Sequence, residues 1–368
     1  MTRFKLLDRT ALICVIALAL IGVLLVYSAT LDQDGLSGLW LKQLVWISGG
    51  LTAYLILSQW DYHTILDHAG LLYILGIMGL VLVLIFGAEI NGAKSWFRLP
   101  FMSIQPSEFV KFTTILFVVK YFSRFQDRQS SLMELVGSGF LVGVPFILVV
   151  LQPDFGTAFL YMPFFLVPNF LSGNKGILWV TGLGSFMVVV LVALVIFKPD
   201  VVFILKDYQK DRIAAFVFPD QDVSNRGYQV HQAKISIGNG GLLGEGIGKG
   251  KQTHFGFLPA QHNDFILAVA AEETGFIGVL LIFSLYLLLF IRSCSSALNA
   301  CDGTGSILVL LVLSTLILQM LYNAGMMIGF VPTTGIPCPL LSYGGSSALS
   351  SFAMLGLIQS VHTHRYVN

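Results

Sequence analysis

The sequence predicts an all-α polytopic membrane protein, and three observations support this fold class. Hydrophobic residues make up 55% of the 368 residues and charged residues only 11%, whereas about a quarter of the residues in a soluble domain are charged. The mean hydropathy is +0.81. Uncharged stretches recur along the whole chain, and only helices or closed barrels satisfy the backbone hydrogen bonds of such segments inside a bilayer.

Ten of these stretches approach the length needed to cross about 30 Å of hydrocarbon. They cover residues 11–27, 44–57, 71–86, 109–119, 136–151, 155–171, 177–197, 265–290, 307–321 and 348–361. Several are shorter than about 20 residues and must include flanking polar residues to span the membrane. We therefore predict about ten transmembrane helices in a single integral membrane domain, residues 1–368.

The distribution of Lys and Arg predicts the orientation. An even number of spans places both termini on one side, and an excess of basic residues in short loops marks the cytoplasmic side. The terminal side carries Arg3, Lys5, Arg9, Lys120, Arg124, Arg128, Lys175, Arg292 and Arg365, against Lys42, Lys94 and Arg98 in the short opposite loops. We therefore expect both termini in the cytoplasm. Residues 198–263 then form a large extracytoplasmic loop before the eighth helix, since long loops cross regardless of their charge.

Composition and motif searches exclude several functional classes. The net charge of +1 gives no overall field for nucleic acid, so we expect no nucleic-acid partner. The seven histidines and four cysteines show no CxxC, HExxH or tetrahedral spacing, and we therefore expect no structural zinc and no haem. The glycine-rich run ending at Lys249 and Lys251 does not satisfy GxxxxGK[ST], so we expect no bound nucleotide.

The segment QPSEFVKF, residues 105–112, opens the fourth predicted helix. Pro106 occupies a natural first-turn position, and Glu108 and Lys111 lie one turn apart on one face. They are spaced to pair. One interpretation is a neutralised ion pair that only fixes helix packing. The other is functional, because ionisable residues inside a span are costly, and Lys111 would then meet an anionic substrate group while Glu108 holds it in place.

Two further acids lie at predicted outer turns. Asp154, in LQPDFGTA, follows a proline and precedes a helix, so it is either a helix cap or part of an outer site. Asp264, in LPAQHNDFILAVAAEETG, precedes the eighth predicted helix and is either an N-cap or a base. A partly desolvated acid there is suited to removing a proton from a hydroxyl. Glu272 lies two turns further in, on roughly the same side, and serves either packing or a polar cavity.

Candidate ligands for phosphate lie in the outer loops. Arg212 and Lys234 belong to the long loop, and Arg98 lies in a short outer loop. Arg and Lys match phosphate oxygens well, so these side chains are candidates for binding or supporting a diphosphate. The alternative is that they are ordinary solvated loop charges.

The motifs together resemble those of the SEDS family (shape, elongation, division and sporulation). They are GAKSWFRLP, QPSEFVKF, QPDFGTA, YQKDRI, GYQVHQAKISIGNGGLLGEGIGKG, LPAQHNDFILAVAAEETG and IPCPLLSYGGSS, in this order over nearly the whole chain. The short termini and the closing HTHR, residues 362–365, are most similar to the RodA branch. The chain departs from the usual pattern in AQHND, where an acid plus Thr or Ser often appears, and in ISIGNGG, where Ala and Ser are usual.

The resemblance implies a bacterial peptidoglycan glycosyltransferase of the cytoplasmic membrane. Such an enzyme polymerises lipid II into glycan strands at the outer leaflet and works with a class B penicillin-binding protein. The family's acid before the eighth helix maps onto Asp264, its Glu-x-x-Lys motif onto Glu108 and Lys111, and the acid of its QPD turn onto Asp154.

Under this resemblance Asp264 is the expected general base on the acceptor sugar hydroxyl, with undecaprenyl diphosphate as the leaving group. Lys111, Arg212 and a divalent cation, Mg²⁺ or Mn²⁺, would stabilise the diphosphate, and apolar flanks would hold the polyprenyl tails among the membrane lipids. Two alternatives stay open: a lipid II flippase, with the charged residues lining a path, and a non-catalytic scaffold for the penicillin-binding protein.

Overall fold

The computed structural model describes residues 6–31, 33, 35–90, 93–98, 102–125, 132–184 and 226–366. Its helices are α1 (Arg9–Ala29), α2 (Leu39–Gln59), α3 (Tyr62–Asp67), α4 (Ala69–Phe86), α5 (Pro106–Phe122), α6 (Leu132–Leu151), α7 (Phe155–Phe159), α8 (Met162–Leu171), α9 (Arg226–Gly240), α10 (Lys251–His254), α11 (Ile266–Leu298), α12 (Gly303–Ile328) and α13 (Gly345–His364). Residues 176–184 are also helical. A small antiparallel sheet has the order β1 (Ala88–Ile90), β2 (Ala93–Arg98), β3 (Ser103–Ile104).

The predicted helical membrane fold is confirmed at the level of class. In the described part of the chain, five helices are long and apolar enough to cross a membrane: α1, α4, α6, α11 and α12. The stretch predicted as one span over residues 155–171 is instead two short helices, α7 and α8. Pro163 lies in the first turn of α8, where a residue without an N–H is well accommodated, so the chain begins a new helix there.

The predicted long loop contains regular structure where it is described. Residues 226–263 include α9 and α10 rather than irregular chain alone. The hydrophobic pattern did not predict α9, because this helix is polar and its small apolar share gives no membrane-like stretch.

Small residues allow the helices that frame the molecule to approach closely. Gly50 of α2 lies against Phe352 of α13, and a Cβ at Gly50 would stand 2.5 Å from Phe352 Cδ2. Gly356 of α13 lies against the Tyr54 backbone of α2, 3.0 Å from such a Cβ. Close backbone approach is what drives helix association in lipid, where burial of apolar surface contributes little.

The long helix α11 is broken at Gly275, whose φ of +65° lies in the left-handed region. A glycine-rich strap, residues 240–250, crosses the helix at this break. The amides of Glu245, Gly246, Phe276 and Ile277 donate to the carbonyls of Glu272, Glu273, Gly241 and Leu242, at 2.9, 3.0, 2.9 and 3.2 Å respectively. The strap therefore replaces the hydrogen bonds that the break removes, so that these backbone groups stay paired.

Candidate active site

A cavity of about 960 Å³ collects the acids that the sequence singles out. Its walls come from the start of α2, the sheet, the start of α5, the turn before α7, α9, the loop before α11, and residues 333–345. Glu108, Asp154 and Asp264 all line it. The sequence separates these three residues by 46 and 110 positions, so their common location is a product of the fold. This common location supports a single site.

The predicted pair of Glu108 and Lys111 forms. Pro106 begins α5, and Lys111 Nζ lies 2.9 Å from each carboxylate oxygen of Glu108. The side chains are 3% and 0% exposed. Glu108 faces the cavity and Lys111 lies one turn further along α5. The pair therefore lies directly behind the cavity wall, with Glu108 between Lys111 and the cavity.

Asp154 combines the two roles considered for it. Its Oδ1 accepts the Thr157 amide at 3.1 Å, so it caps α7, and its Oδ2 accepts Gln105 Nε2 at 2.7 Å. Gln105 directly precedes α5, so this bond joins the Asp154 turn to the helix that carries the ion pair. Burial raises the pKa of the Asp154 carboxyl above its usual range.

Asp264 is not the N-cap of α11, because that position belongs to Phe265. The acid lies in a turn, residues 260–264, in which the Asp264 amide donates to the Ala260 carbonyl at 3.1 Å. Ala260 itself has a φ of +50°. A Cβ at Gly335 would lie 3.3 Å from Asp264 Oδ2, so the carboxylate faces a glycine in the opposite wall. Capping therefore does not explain the acid.

Glu272 does not line this cavity, and its contacts favour the packing alternative. Its side chain is fully buried and accepts the amides of Gln252 and Thr253 at 2.7 and 3.0 Å and the Thr253 hydroxyl at 2.7 Å. These are the donors at the start of α10. Glu272 therefore fastens α10 to α11. Spacing along a helix predicted its face correctly but not the chain packed against that face.

The three predicted phosphate ligands do not meet at the cavity in the described part of the chain. Arg98 is exposed at the end of β2, and Lys234 is exposed on α9; neither lines the cavity. Arg212 lies outside the described residues. Among the described residues, Lys42 at the start of α2 is the cation that lines the cavity wall; the sequence analysis used it only to assign orientation.

Aromatic residues in the cavity wall were also missed. Trp46 of α2, Trp96 of β2 and Tyr343 before α13 all line it. A side chain at Gly345 would overlap the Trp46 ring, so the GG pair at positions 344 and 345 allows this ring to lie against the start of α13. The sequence shows two glycines directly after Tyr343. Their contact with Trp46 could not be inferred from it, because that requires knowing that α2 and α13 are neighbours.

Comparisons with known proteins agree with this geometry. A family model described as "Cell cycle protein", covering FtsW, RodA and SpoVE, matches residues 8–367. Peptidoglycan glycosyltransferase MrdB of Escherichia coli (strain K12) is 35% identical over 98% of this chain and 94% of its own length. Two solved structures are similar over nearly their full length. A chain of a peptidoglycan synthase complex that coordinates polymerization and crosslinking is 30% identical, covers 98% of this chain and 99% of its own, and has a TM-score of 0.81. The rod shape determining protein RodA of Thermus thermophilus is 28% identical, covers 98% of each chain, and has a TM-score of 0.72.

Proposed function

Because the chain belongs to the family of cell cycle proteins that includes FtsW, RodA and SpoVE, we propose that it is a peptidoglycan glycosyltransferase of the bacterial inner membrane. It would polymerise lipid II into glycan strands for cell elongation and shape, as relatives named RodA and MrdB indicate. The observation that carries the proposal is the meeting of Asp264, Asp154 and the Glu108–Lys111 pair on one cavity.

The proposed topology has about ten transmembrane helices, both termini in the cytoplasm, and the cavity open to the outer leaflet. The excess of Lys and Arg on the terminal side supports it. In this topology the cavity that Glu108, Asp154 and Asp264 line would face the outer side.

In the proposed reaction Asp264 acts as the general base. Its carboxylate removes the proton from a sugar hydroxyl of one lipid-linked substrate, and the resulting oxygen attacks the anomeric carbon of the other. The bond from that carbon to the diphosphate oxygen breaks with inversion, and undecaprenyl diphosphate leaves with the electron pair. A base positioned in this way contributes about 10²- to 10⁴-fold to the rate.

The leaving diphosphate needs positive charge, and Lys111 and Arg212 are the proposed sources. Lys111 lies one helical turn from the cavity-lining Glu108 and is buried, where a charge acts over a lower dielectric than in water. Glu108 would hold the ammonium in position. Arg98 and Lys234, both exposed, would support the approach of the substrate from outside the cavity.

We further propose a divalent cation, Mg²⁺ or Mn²⁺. In the described ranges no three His, Cys, Asp or Glu side chains come together as a metal site. The fit is therefore to a hydrated cation, which typically takes one or two carboxylates plus substrate phosphates. Asp154 would hold it, because its carboxylate lines the cavity and carboxylates are preferred ligands of such cations. Such a cation would neutralise charge on the diphosphate.

The proposed partner is a class B penicillin-binding protein that cross-links the strands. This chain is similar over nearly its whole length to a chain of a synthase complex that coordinates polymerization and crosslinking.

The test incubates labelled lipid II with the purified protein and its class B partner and measures strand synthesis. The transpeptidase serine of the partner is blocked, so that the strands are not cross-linked. We expect a ladder of glycan strands resolved on a gel. Transfer of lipid II across vesicle membranes without a ladder would instead indicate a flippase, and neither activity would indicate a scaffold.

A further inference from the structure

We infer that Asn323 is a positioning residue that fixes the catalytic segment against the opposite cavity wall. The inference rests on the proposed function. Asn323 lies in the last two turns of α12 and is fully buried. Its Nδ2 donates to two carbonyls at once, that of Asp264 at 2.9 Å and that of Ile336 at 2.7 Å.

The orientation of the Asn323 amide follows from its neighbours. Both facing groups are carbonyl oxygens, which accept hydrogen bonds and cannot donate them. Only the NH₂ end can therefore point toward them, and the reverse orientation would bring three oxygens together. Within the described residues, the Oδ1 end has no hydrogen-bond partner. Leaving a buried acceptor unpaired is costly, so the fold retains this residue in spite of that cost.

The two carbonyls belong to the two walls that face each other across the acid. Asp264 ends the turn of residues 260–264, and Ile336 directly follows Gly335, the residue that lies against the Asp264 carboxylate. Asn323 therefore sets the distance between the acid's backbone and the glycine in front of it. A second tie, from the Tyr343 amide to the His262 carbonyl at 2.9 Å, joins the same two segments further from the acid.

Gln319 provides a matched comparison within the same helix. It lies one turn before Asn323, is equally buried, and donates from Nε2 to the Pro337 carbonyl at 2.9 Å. Its Oε1 likewise has no partner among the described residues. Gln319 thus holds the wall at residues 336–337 as Asn323 does, but no described hydrogen bond joins it to the segment that carries Asp264. Comparing variants of the two residues therefore measures the effect of the hydrogen bond from Asn323 to the Asp264 carbonyl.

The experiment measures strand synthesis from labelled lipid II, in complex with the class B partner, for wild type, Asn323→Leu and Gln319→Met. Each replacement keeps the length of the side chain and removes the donor. We expect Asn323→Leu to lower kcat by about 10- to 100-fold with little change in KM, because a displacement of about 1 Å in a reacting group costs that much. Gln319→Met should keep most of the wild-type kcat while lowering the unfolding temperature to a similar extent.

Four results would decide against the inference. Equal losses of kcat in both variants would show that Asn323 only holds the wall, and a change confined to KM would assign it to substrate binding. If Asn323→Leu does not fold, Asn323→Ser keeps one donor and should give an intermediate kcat; a wild-type kcat would overturn the positioning role. A wild type that makes no strands would overturn the polymerase function itself, and the role of Asn323 with it.

Discussion

Lys111 and Glu108 could serve helix packing, catalysis or both. Their burial and pairing suggest variants that test the two roles separately. Both side chains are almost completely buried and paired at 2.9 Å. Removing one partner of such a pair leaves an uncompensated buried charge, which costs about 3–5 kcal/mol, whereas replacing both with apolar residues is often neutral.

We predict that Lys111→Met alone is strongly destabilised, and that the double variant Glu108→Leu/Lys111→Met regains stability without regaining strand synthesis. The reason is that the double change removes the desolvation penalty together with the positive charge that the diphosphate requires. Thermal unfolding in detergent and the lipid II assay measure the two properties separately. Full synthesis by the double variant would show that the pair serves packing alone.

At the scale of single residues, the sequence identified the acids and their pairing but not their surroundings. Glu108 and Lys111 could be predicted because helical spacing alone brings residues three apart together. Asn323 could not, because its role depends on two carbonyls at positions 264 and 336. A buried amide in an apolar helix has many local explanations, and only the tertiary fold selects one of them.

At the scale of elements, the break in α11 is the feature that the hydrophobic pattern missed. Residues 265–290 were predicted as one span, because a single glycine barely changes the mean hydropathy of such a stretch. The structure shows that Gly275 turns the chain and that the strap at residues 240–250 pairs with the freed backbone groups. The same strap explains a glycine-rich run whose sequence resembles a phosphate-binding loop.

We predict that Gly275→Ala lowers the free energy of unfolding by about 1–3 kcal/mol, the cost of forcing a side chain into a left-handed conformation beside a packed backbone. Gly143→Ala, in α6, is the control: a Cβ there meets nothing within 4 Å, and a helix-interior Gly→Ala change should stabilise by up to about 1 kcal/mol. Chemical unfolding in detergent gives both values. An unchanged stability for Gly275→Ala would mean that the strap tolerates a continuous helix.

At the scale of the whole molecule, the cavity unites segments from most of the chain, and we propose that a divalent cation adds positive charge to it. We predict that chelation of divalent cations stops strand synthesis and that Mg²⁺ or Mn²⁺ restores it. Asp154→Asn should raise the cation concentration needed for half-maximal synthesis, because the amide is a weaker ligand than the carboxylate. Undiminished synthesis in the presence of a chelator would remove the cation from the account.

The general architecture followed from composition and charge, since a bilayer permits few folds. What could not be predicted was how the outer turns assemble, because residues 105, 154, 264 and 335 meet only through helix packing. The class of protein was therefore accessible from the sequence, and the geometry of the site was not.

The central claim is that Asp264 is the base, and the most direct test compares Asp264→Asn with Asp302→Asn in the lipid II assay with the class B partner. Asp302 caps α12, accepting the Gly305 amide at 2.8 Å, and does not line the cavity. We expect Asp264→Asn to lose at least about 100-fold in kcat at an unchanged unfolding temperature. Asp302→Asn keeps an oxygen that can cap α12 and loses only the partly exposed ion pair with His63 at 3.0 Å, so it should cost at most about 1 kcal/mol of stability and keep its synthesis. Strand synthesis by Asp264→Asn at the wild-type rate would contradict the account.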